Sequence, residues 1–398
     1  MKVPGRNSKQ EAAALEREAA GVSVVPQGIR HDQAAFRRKT VALVVVLLVV
    51  YALSLCISVT TYQVYSPGEA VAALVTWVQT SFATMFQGAH YTTVDLTDLC
   101  PNYFQVLDRA GISVMAILCG IVLTTSGMIY QNVFRNPVAA PTMLGVAGGL
   151  NMGLLIFVGV YGSMALYATT AHYLFAYLGG FFALILVLAL SRLINGKRWF
   201  SVVDMLLVGS IVSQVFGQIV LYVTYYVFDD ETFLIYTTIN EVLQVNTEPV
   251  AYAFLIVGFL VTFIPVFLIR FRLNALSFTE TEARGMGVDL NRFRYVMLFL
   301  ATIMVIVAMA HAGMVGMAAL IVPFLSRAFF GAESRKQLVG NILIGAILVL
   351  VCRDIAALLS IVLWKAGFLF DFPIGVVASL VCLPFFVWIV ARQQRTWE

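Results

Sequence analysis

Charged residues are scarce in this chain: they make up 12% of its 398 residues, whereas hydrophobic residues make up 61%. A soluble domain carries about twice that share of charge, roughly 25%. The apolar residues occur in long uninterrupted runs, and a bilayer core about 30 Å thick needs about 20 apolar residues per helix. The runs are too long and too uniformly apolar for barrel strands. The composition therefore predicts an all-α membrane protein with no room for a separate soluble catalytic domain.

Several kinds of site are also missing from the sequence. It contains no G-x-x-x-x-G-K-[ST] motif, so the chain is not expected to hold ATP in a P-loop. The four histidines show no metal-ligand spacing, and no acid–base cluster predicts catalysis. The five cysteines show no disulfide framework, and the four within apolar runs are expected to pack as small hydrophobic residues. We therefore expect no metal site, no cofactor bound by this chain, no enzymatic activity and no nucleic-acid partner.

Ten apolar runs predict about ten transmembrane helices. They cover roughly residues 40–59, 110–131, 142–160, 172–193, 203–227, 250–270, 295–310, 314–330, 338–363 and 373–391. Arginine and lysine are concentrated in alternate loops, beginning just before the first run, whereas the other loops carry mostly acids. The positive-inside rule then predicts a multi-pass protein of the plasma or inner membrane with both termini in the cytoplasm. Residues 1–39 are expected to form a polar cytoplasmic tail, and residues 40–395 the transmembrane domain.

The loop after the first run contains a mildly amphipathic stretch, GEAVAALVTWVQTSF, directly after Pro67. We expect this stretch to form a helix at the outer membrane interface, because Trp77 and the nearby aromatic residues suit that depth. Membrane lipid is therefore an expected partner. The ninth run contains two charges, Arg353 and Asp354, for which we expect inward pairing with a structural role; substrate contact is the alternative.

Three segments on the predicted cytoplasmic side interrupt the apolar pattern. Residues 135–149 combine two prolines with small residues, which predicts either a tight turn between spans or irregular backbone that lines a cavity. Residues 277–294 are the longest polar interruption, and they predict either a charged loop or a knob of two short helices around a glycine turn. In residues 313–327 the small residues favour close helix packing, and Pro323 is expected to break the helix.

These segments together resemble the FecCD family, the permeases of ABC importers for iron siderophores, haem and cobalamin. The family pattern R-N-P-L-A-D-P-x-x-L-G-V matches Arg135, Asn136, Pro137, Ala139, Pro141, Leu144, Gly145 and Val146. The pattern E-x-x-A-R-x-L-G-V matches Glu280, Ala283, Arg284, Gly287 and Val288. The pattern G-x-x-G-F-V-G-L-V-V-P-H-x-x-R matches Gly313, Gly316, Leu320, Val322, Pro323 and Arg327. The chain departs from these patterns at Ala140, where the family has Asp, and at Phe324, where it has His.

The resemblance implies a type II ABC importer permease fold and several partners. These are a second permease copy, either identical or related, ATP-binding subunits that use the ATP, and an extracytoplasmic substrate-binding protein. Contacts with the ATPase would fall on Glu280, Glu282, Ala283, Arg284 and Gly287. The motif residues near the pathway would be Arg135, Asn136, Pro137, Gly145, Gly313, Gly316 and Pro323. Residues facing the pathway would be Gly209, Ser213, Gln214, Gly217 and Gln218, with helix packing as the alternative. The binding protein would dock on Arg109 and Lys365.

The function implied by the resemblance is transport of an iron chelate, and a siderophore is the first choice by family frequency. Haem and cobalamin remain open as substrates. A different class, an ion-coupled secondary transporter, would need no ATPase and would be expected to show paired intramembrane acids or broken-helix repeats. The sequence shows one Arg–Asp pair and no clear inverted repeat, which favours the importer.

Overall fold

A computed structural model of the protein describes residues 27–58, 63–87, 92–165, 169–195, 202–233, 236, 249–277, 282, 285, 289–313, 315–331, 333–368 and 372–394. Its helices are α1 (Gln27–Ser54), α2 (Pro67–Gln87), α3 (Thr93–Leu99), α4 (Tyr103–Phe134), α5 (Val146–Tyr161), α6 (Ala171–Asn195), α7 (Val202–Tyr226), α8 (Pro249–Leu268), α9 (Leu290–Ala312), α10 (Gly316–Phe330), α11 (Ser334–Lys365) and α12 (Ile374–Gln394). Two 3-10 helices, Pro141–Leu144 and Leu273–Ser277, and two short strands, β1 (Ile57–Ser58) and β2 (Gln63–Val64), complete the list of these elements. The chain divides into two compact units, residues 1–44 and 45–398.

Six helices in the described part of the chain are long and apolar enough to cross a membrane. These are α4, α6, α7, α8, α9 and α11, whereas α5, α10 and α12 are shorter apolar helices. Each of the ten predicted runs coincides with one of these helices or with α1. The all-α membrane fold is thereby confirmed, and the number of ten spans remains a prediction.

The first helix begins earlier than the predicted boundary between tail and membrane domain. Because α1 starts at Gln27, residues 27–39 of the predicted tail are helical, and their place outside the membrane remains a prediction. Residues 1–26 lie outside the described residues, so the rest of that prediction is untested.

The central helix of the larger unit is α4, which packs along α9, α10 and α11. Of the residues in its most apolar 18-residue window, 72% are buried. Glycines let its backbone touch its neighbours: a side chain at Gly120 would collide with the Gly345 carbonyl of α11, and one at Gly127 with the Ala319 carbonyl of α10. Such small residues permit close packing where no hydrophobic effect drives helices together.

Polar groups of α4 are satisfied by the same neighbouring helices. The Thr124 hydroxyl donates to the Asn341 carbonyl of α11 at 2.9 Å, and the Tyr130 and Thr302 hydroxyls of α4 and α9 are 2.6 Å apart. Unpaired polar groups are costly in an apolar interior, so these bonds fix the rotation of each helix against α4.

Helices α5 and α6 are joined by a second set of glycines. A side chain at Gly149 would lie 2.5 Å from the Gly179 carbonyl, and one at Gly179 would lie 2.8 Å from the Gly153 Cα atom. A side chain at Gly153 would in turn collide with the Phe175 carbonyl. The two backbones are therefore in direct contact along about one and a half turns of helix.

A small module stands on the predicted outer side, between α1 and α4. It consists of the antiparallel β1–β2 pair, α2 and α3, and Ile57 of β1 packs on Ala357 and Ile361 of α11. Its core is formed by Leu55, Cys56, Tyr65, Ala70, Ala73, Cys100, Tyr103 and Val106. The sequence prediction of a helix after Pro67 is confirmed, and all five cysteines are free and buried, as expected for small hydrophobic side chains.

Candidate transport pathway and coupling site

Helix α7 carries a polar stripe that no other part of the described chain covers. Gln214, Gly217 and Gln218 are exposed, and a side chain added at Gly217 would meet no atom within 4 Å. With 3.6 residues per turn, Ser210, Gln214, Gly217 and Gln218 lie on one side of the helix. Exposed aliphatic residues such as Ile211 occupy the adjoining side. Over these two turns the stripe therefore differs chemically from a surface that lipid would cover, and the exposed Leu207 and Leu221 continue the same side of the helix beyond its two ends.

Two predicted pathway residues of the same helix pack against protein instead. Gly209 is buried, and a side chain there would come within 2.7 Å of the Leu144 Cα atom. The Ser213 backbone lies against Gly148 of α5, at 3.0 Å from the position of an added Cβ atom. The prediction that Gly209 faces the pathway is therefore wrong, because its missing side chain makes room for the 3-10 helix at Leu144.

Residues 135–145 form a compact connection between α4 and α5. Arg135 ends α4 in a left-handed conformation (φ 50°), and its Nε atom donates to the Leu276 carbonyl at 3.3 Å. The Asn136 side chain accepts a bond from the Val138 N–H at 3.0 Å, which closes the turn around Pro137. Gly145 has φ 74° and begins α5, a conformation that glycine adopts without strain. This segment is a tight turn, one of the two alternatives that the sequence left open.

A 3-10 helix, Leu273–Ser277, leads into the predicted coupling segment, which begins at residue 277, and this 3-10 helix is fixed to two long helices. Its Leu273 and Leu276 side chains are fully buried. The bond from Arg135 ties Leu276 to the end of α4, and the Asn274 side chain accepts from the Ser334 N–H at the start of α11, at 2.9 Å. A force applied at residues 273–277 would thus act on both α4 and α11.

The rest of the coupling segment is described only in part. Glu280, Ala283, Arg284 and Gly287 lie outside the described residues, so their predicted contacts are untested. Glu282 is exposed. Asp289 caps α9, its carboxylate accepting from the Arg292 N–H at 3.3 Å. The last part of the segment is therefore the start of a long helix, Leu290–Ala312, and not a second short helix.

Helix α10 continues through Pro323 without a break. It begins at Gly316, follows the positive φ of Gly313 (68°) and ends at Phe330, so the prediction of a break at Pro323 is wrong. Proline cannot donate to the Ala319 carbonyl one turn earlier. That carbonyl lies against Gly127 of α4, and the Gln337 side chain of α11 donates to the Pro323 carbonyl at 3.1 Å. The neighbouring helices therefore cover the groups that proline leaves exposed.

A buried ion pair joins α4 and α11 near the predicted outer side. The Arg109 guanidinium contacts the Asp354 carboxylate, and these side chains are 2% and 13% exposed. Arg109 Nε also donates to the Ser54 carbonyl at 2.9 Å, and the Ser54 hydroxyl donates to Asp354 at 2.8 Å. Because that hydroxyl proton is used, the Ser113 hydroxyl donates to Ser54, at 2.8 Å. The cluster thus connects the end of α1 to both long helices.

This ion pair bears on two predictions from the sequence. A side chain that is 2% exposed and held by a carboxylate offers no docking surface, so docking of a binding protein on Arg109 does not hold in this structure. The pairing role predicted for Asp354 is confirmed, and Arg109 is a cation that bonds it. Lys365 is exposed, and its docking role remains a prediction.

No group of three or more His, Cys, Asp or Glu side chains that could hold a metal ion occurs among the residues described. Two histidines instead take part in aromatic packing. His311 is buried with its Nδ1 atom 3.0 Å from the Val307 carbonyl, and Tyr173 stacks on its ring with centroids 4.3 Å apart. His172 bonds the Thr169 carbonyl at 2.8 Å.

Known proteins resemble this chain along most of its length. A profile of the FecCD transport family matches residues 104–392. The hemin transport system permease protein HmuU of Yersinia pestis is 30% identical, over 71% of this chain and 81% of the relative. The molybdate import system permease protein MolB of Haemophilus influenzae is also 30% identical, over 71% of this chain and 79% of the relative. A probable iron chelatin transport system permease protein of Helicobacter pylori is 27% identical, over 71% of this chain and 80% of the relative.

The fold has a counterpart among solved structures. A metal-chelate type ABC transporter in an inward-facing conformation superposes with a TM-score of 0.67 at 24% identity, covering 89% of this chain and 99% of the other. The shared architecture agrees with the sequence match, and the family profile extends over well more than half of the residues. The chain belongs to the FecCD transport family.

Proposed function

We propose that this chain is the membrane permease of an ABC importer and forms, with a second permease copy, the pathway for an iron chelate. The observation that carries the proposal is the uncovered polar stripe of α7. Glutamine side chains in contact with acyl chains would be costly, so intramembrane polar groups normally face a bundle interior or a water-filled cavity. A second copy placed against this side of α7 would turn the stripe inward and complete such a cavity.

The names of the relatives support the class of substrate. They include permeases for iron chelatin, hemin and ferric dicitrate, and also for molybdate and vitamin B12. Iron in a chelate is the cargo named most often, and a siderophore is our first choice within that class. Haem and cobalamin are the alternatives, and each predicts a different ligand for the cognate binding protein.

The contacts of residues 273–277 support a route for coupling to ATP. We place the ATPase contact on residues 277–294, at Glu280, Glu282, Ala283, Arg284 and Gly287. Closure of the ATP-binding subunits would move this segment, and the bonds of Leu276 and Asn274 would pass the movement to α4 and α11. The pathway would then alternate between two states that bind the partners differently. ATP is used by the partner subunits and not by this chain.

The remaining parts of the proposal concern location and partners. The charge bias of the loops supports an inner-membrane protein with both termini in the cytoplasm. An extracytoplasmic binding protein would deliver the chelate to the opposite side, where the exposed Lys365 is a candidate contact.

The experiment compares two charge-matched double variants in proteoliposomes that contain the permease, its ATP-binding subunits and the loaded binding protein. Glu280→Ala with Arg284→Ala removes one acid and one base from the coupling segment. Glu333→Ala with Arg335→Ala removes the same charges from an exposed cytoplasmic pair, 3.9 Å apart, outside that segment. We expect only the first variant to lose ferric-siderophore uptake and stimulated ATPase activity, while both remain folded.

Two results would contradict the proposal. Equal uptake by the two double variants would remove the assignment of the coupling segment. Uptake by the permease alone, driven by an ion gradient without ATP-binding subunits, would show a secondary transporter. Binding of haem or cobalamin, in place of a ferric siderophore, by the cognate binding protein would change the substrate and leave the rest intact.

A further inference from the structure

Helix α2 of the outer module has three chemically different sides. An exposed apolar stripe is formed by Val71 (59% exposed), Val75 (49%), Val78 (57%) and Met85 (79%). Their spacing along the chain puts them on one side of the helix. Ala72, Thr76 and Gln79 lie about 120° away around the helix, and Ala70, Ala73 and Thr80 lie on the third side.

The third side is the one that packs against protein. Ala70 is 4% exposed and Ala73 fully buried, in the cluster that also contains Tyr103 and Val106 of α4. Thr80 is buried as well, and its hydroxyl donates to the Thr76 carbonyl at 2.8 Å. This side, on which Trp77 remains 45% exposed, is therefore the side of α2 that packs on the protein, and the apolar stripe points away from it.

The packing contact fixes the level of α2 relative to the bilayer. On α4 the cluster extends from Tyr103 to Ala110. The uncharged stretch of α4 runs from Ala110 to Phe134, 25 residues and about 37 Å, which is enough for a hydrocarbon core of about 30 Å crossed at a tilt. Helix α2 therefore lies within the first two turns beyond that core, at the depth of the lipid headgroups.

The lipid-facing surface of the adjoining helix reaches the same level. On α1 the exposed residues Leu48 (61%), Val49 (53%) and Leu53 (60%) face away from the protein. Two residues further, Leu55 and Cys56 pack into the cluster that holds α2. The apolar surface of α1 thus ends at the height at which the stripe of α2 begins.

The charge of α2 fits a lipid surface better than a soluble partner. Glu69 is the one charged residue in 67–87, and it is used to cap the helix: its carboxylate accepts from the Ser66 N–H at 2.7 Å and the Ser66 hydroxyl at 2.9 Å. A docking surface for a soluble protein normally has a polar, charged rim around its apolar centre. Helices that lie in a membrane interface combine one apolar and one polar side.

We propose that the apolar stripe of α2 is inserted in the outer leaflet of the membrane, with its side chains at the boundary between headgroups and acyl chains. The polar side with Gln79 faces water and the alanine side faces the protein. Helix α2 then holds the outer ends of α1 and α4 at a fixed height in the bilayer. This inference concerns a surface that the proposed transport function does not use, so either can fail without the other.

The test places a spin label at Val78→Cys, in the stripe, and at Gln79→Cys, the matched control on the adjacent polar side. The full chain is assembled in nanodiscs of phosphatidylethanolamine and phosphatidylglycerol, and the unmutated protein, whose five cysteines are buried, serves as the labelling blank. Collision rates are measured with oxygen, which concentrates in acyl chains, and with a water-soluble nickel chelate. We expect the oxygen-to-nickel ratio at Val78→Cys to be several times that at Gln79→Cys.

Two outcomes would overturn the inference. Equal ratios at both positions, with the nickel chelate dominant, would show that the stripe is exposed to water. A label at Val78→Cys that is shielded from both reagents would show that a protein, either a second copy or a soluble partner, covers the stripe. A second stripe variant, Met85→Cys, is measured in parallel, so a folding defect in one variant does not decide the result.

Discussion

Replacing Asp354 with asparagine would leave the Arg109 cation buried without its counter-ion. Breaking a buried pair in this way typically costs about 3–5 kcal/mol. The lower end applies here, because Asp354 is 13% exposed and Arg109 keeps its bond to the Ser54 carbonyl. We therefore expect a loss of about 3 kcal/mol, which corresponds to a change of about 150-fold in the unfolding equilibrium at about 1.4 kcal/mol per tenfold.

The assay is reversible unfolding of the purified chain in lipid bicelles, compared with two other variants. The double variant Arg109→Met with Asp354→Leu removes both charges. Replacement of a buried ion pair by apolar residues is often close to neutral, so we expect a loss of stability within about 1 kcal/mol. Lys365→Gln removes an exposed cation at the end of the same helix and should change stability by less than about 0.5 kcal/mol. If Asp354→Asn proved no worse than Lys365→Gln, the reasoning about the buried charge would be refuted.

Three further predictions concern packing, the pathway and a helix cap. Gly127→Leu should destabilise the protein by about 1–3 kcal/mol or more, because the leucine side chain would collide with the α10 backbone. Gly217→Ala should leave the stability unchanged or raise it, because no atom lies near that position. The unfolding assay described above measures both variants. Gln214→Leu should lower chelate uptake without loss of folding if α7 lines the pathway, and an effect no larger than that of Ile211→Leu would contradict this. The Asp95 carboxylate accepts from the N–H and hydroxyl of its N-cap threonine at 2.8 and 2.7 Å, which lowers its pKa. The ionised Asp95 carboxylate therefore stabilises α3 at any pH above its unfolded pKa of about 3.9, and this stabilisation is lost as the pH falls through its lower folded pKa. Hydrogen exchange in residues 92–100 should rise in acid only, and Asp95→Asn should abolish that rise.

The helices were predictable because their causes are local. Continuous apolar runs are sufficient to predict membrane helices, and the runs coincide with helices in the structure. The surface helix after Pro67 also follows from residues within a few positions of each other. The contacts of Asn274 and Leu276 with α11 and Arg135 were not predictable, since these bonds join residues that are 60 and 141 positions apart.

The errors have physical reasons of the same kind. The docking role given to Arg109 did not anticipate its carboxylate partner, because Asp354 lies 245 positions away in the chain. Proline predicts a helix break when only its own helix is considered; in α10 the helices on either side cover the freed groups. Gly209 suggested an open surface, yet its small size serves a contact with Leu144.

The direct backbone contact between α5 and α6 limits where the protein can deform. Where two helices touch through glycines and alanine, no side chain at the contact can change rotamer, so we expect the pair to move together. By contrast, 28% of the apolar window of α7 and 22% of that of α8 are buried in this chain. Structural change during a transport cycle is thus expected to be concentrated where α7 and α8 meet their neighbours, while α5 and α6 keep their relative position throughout.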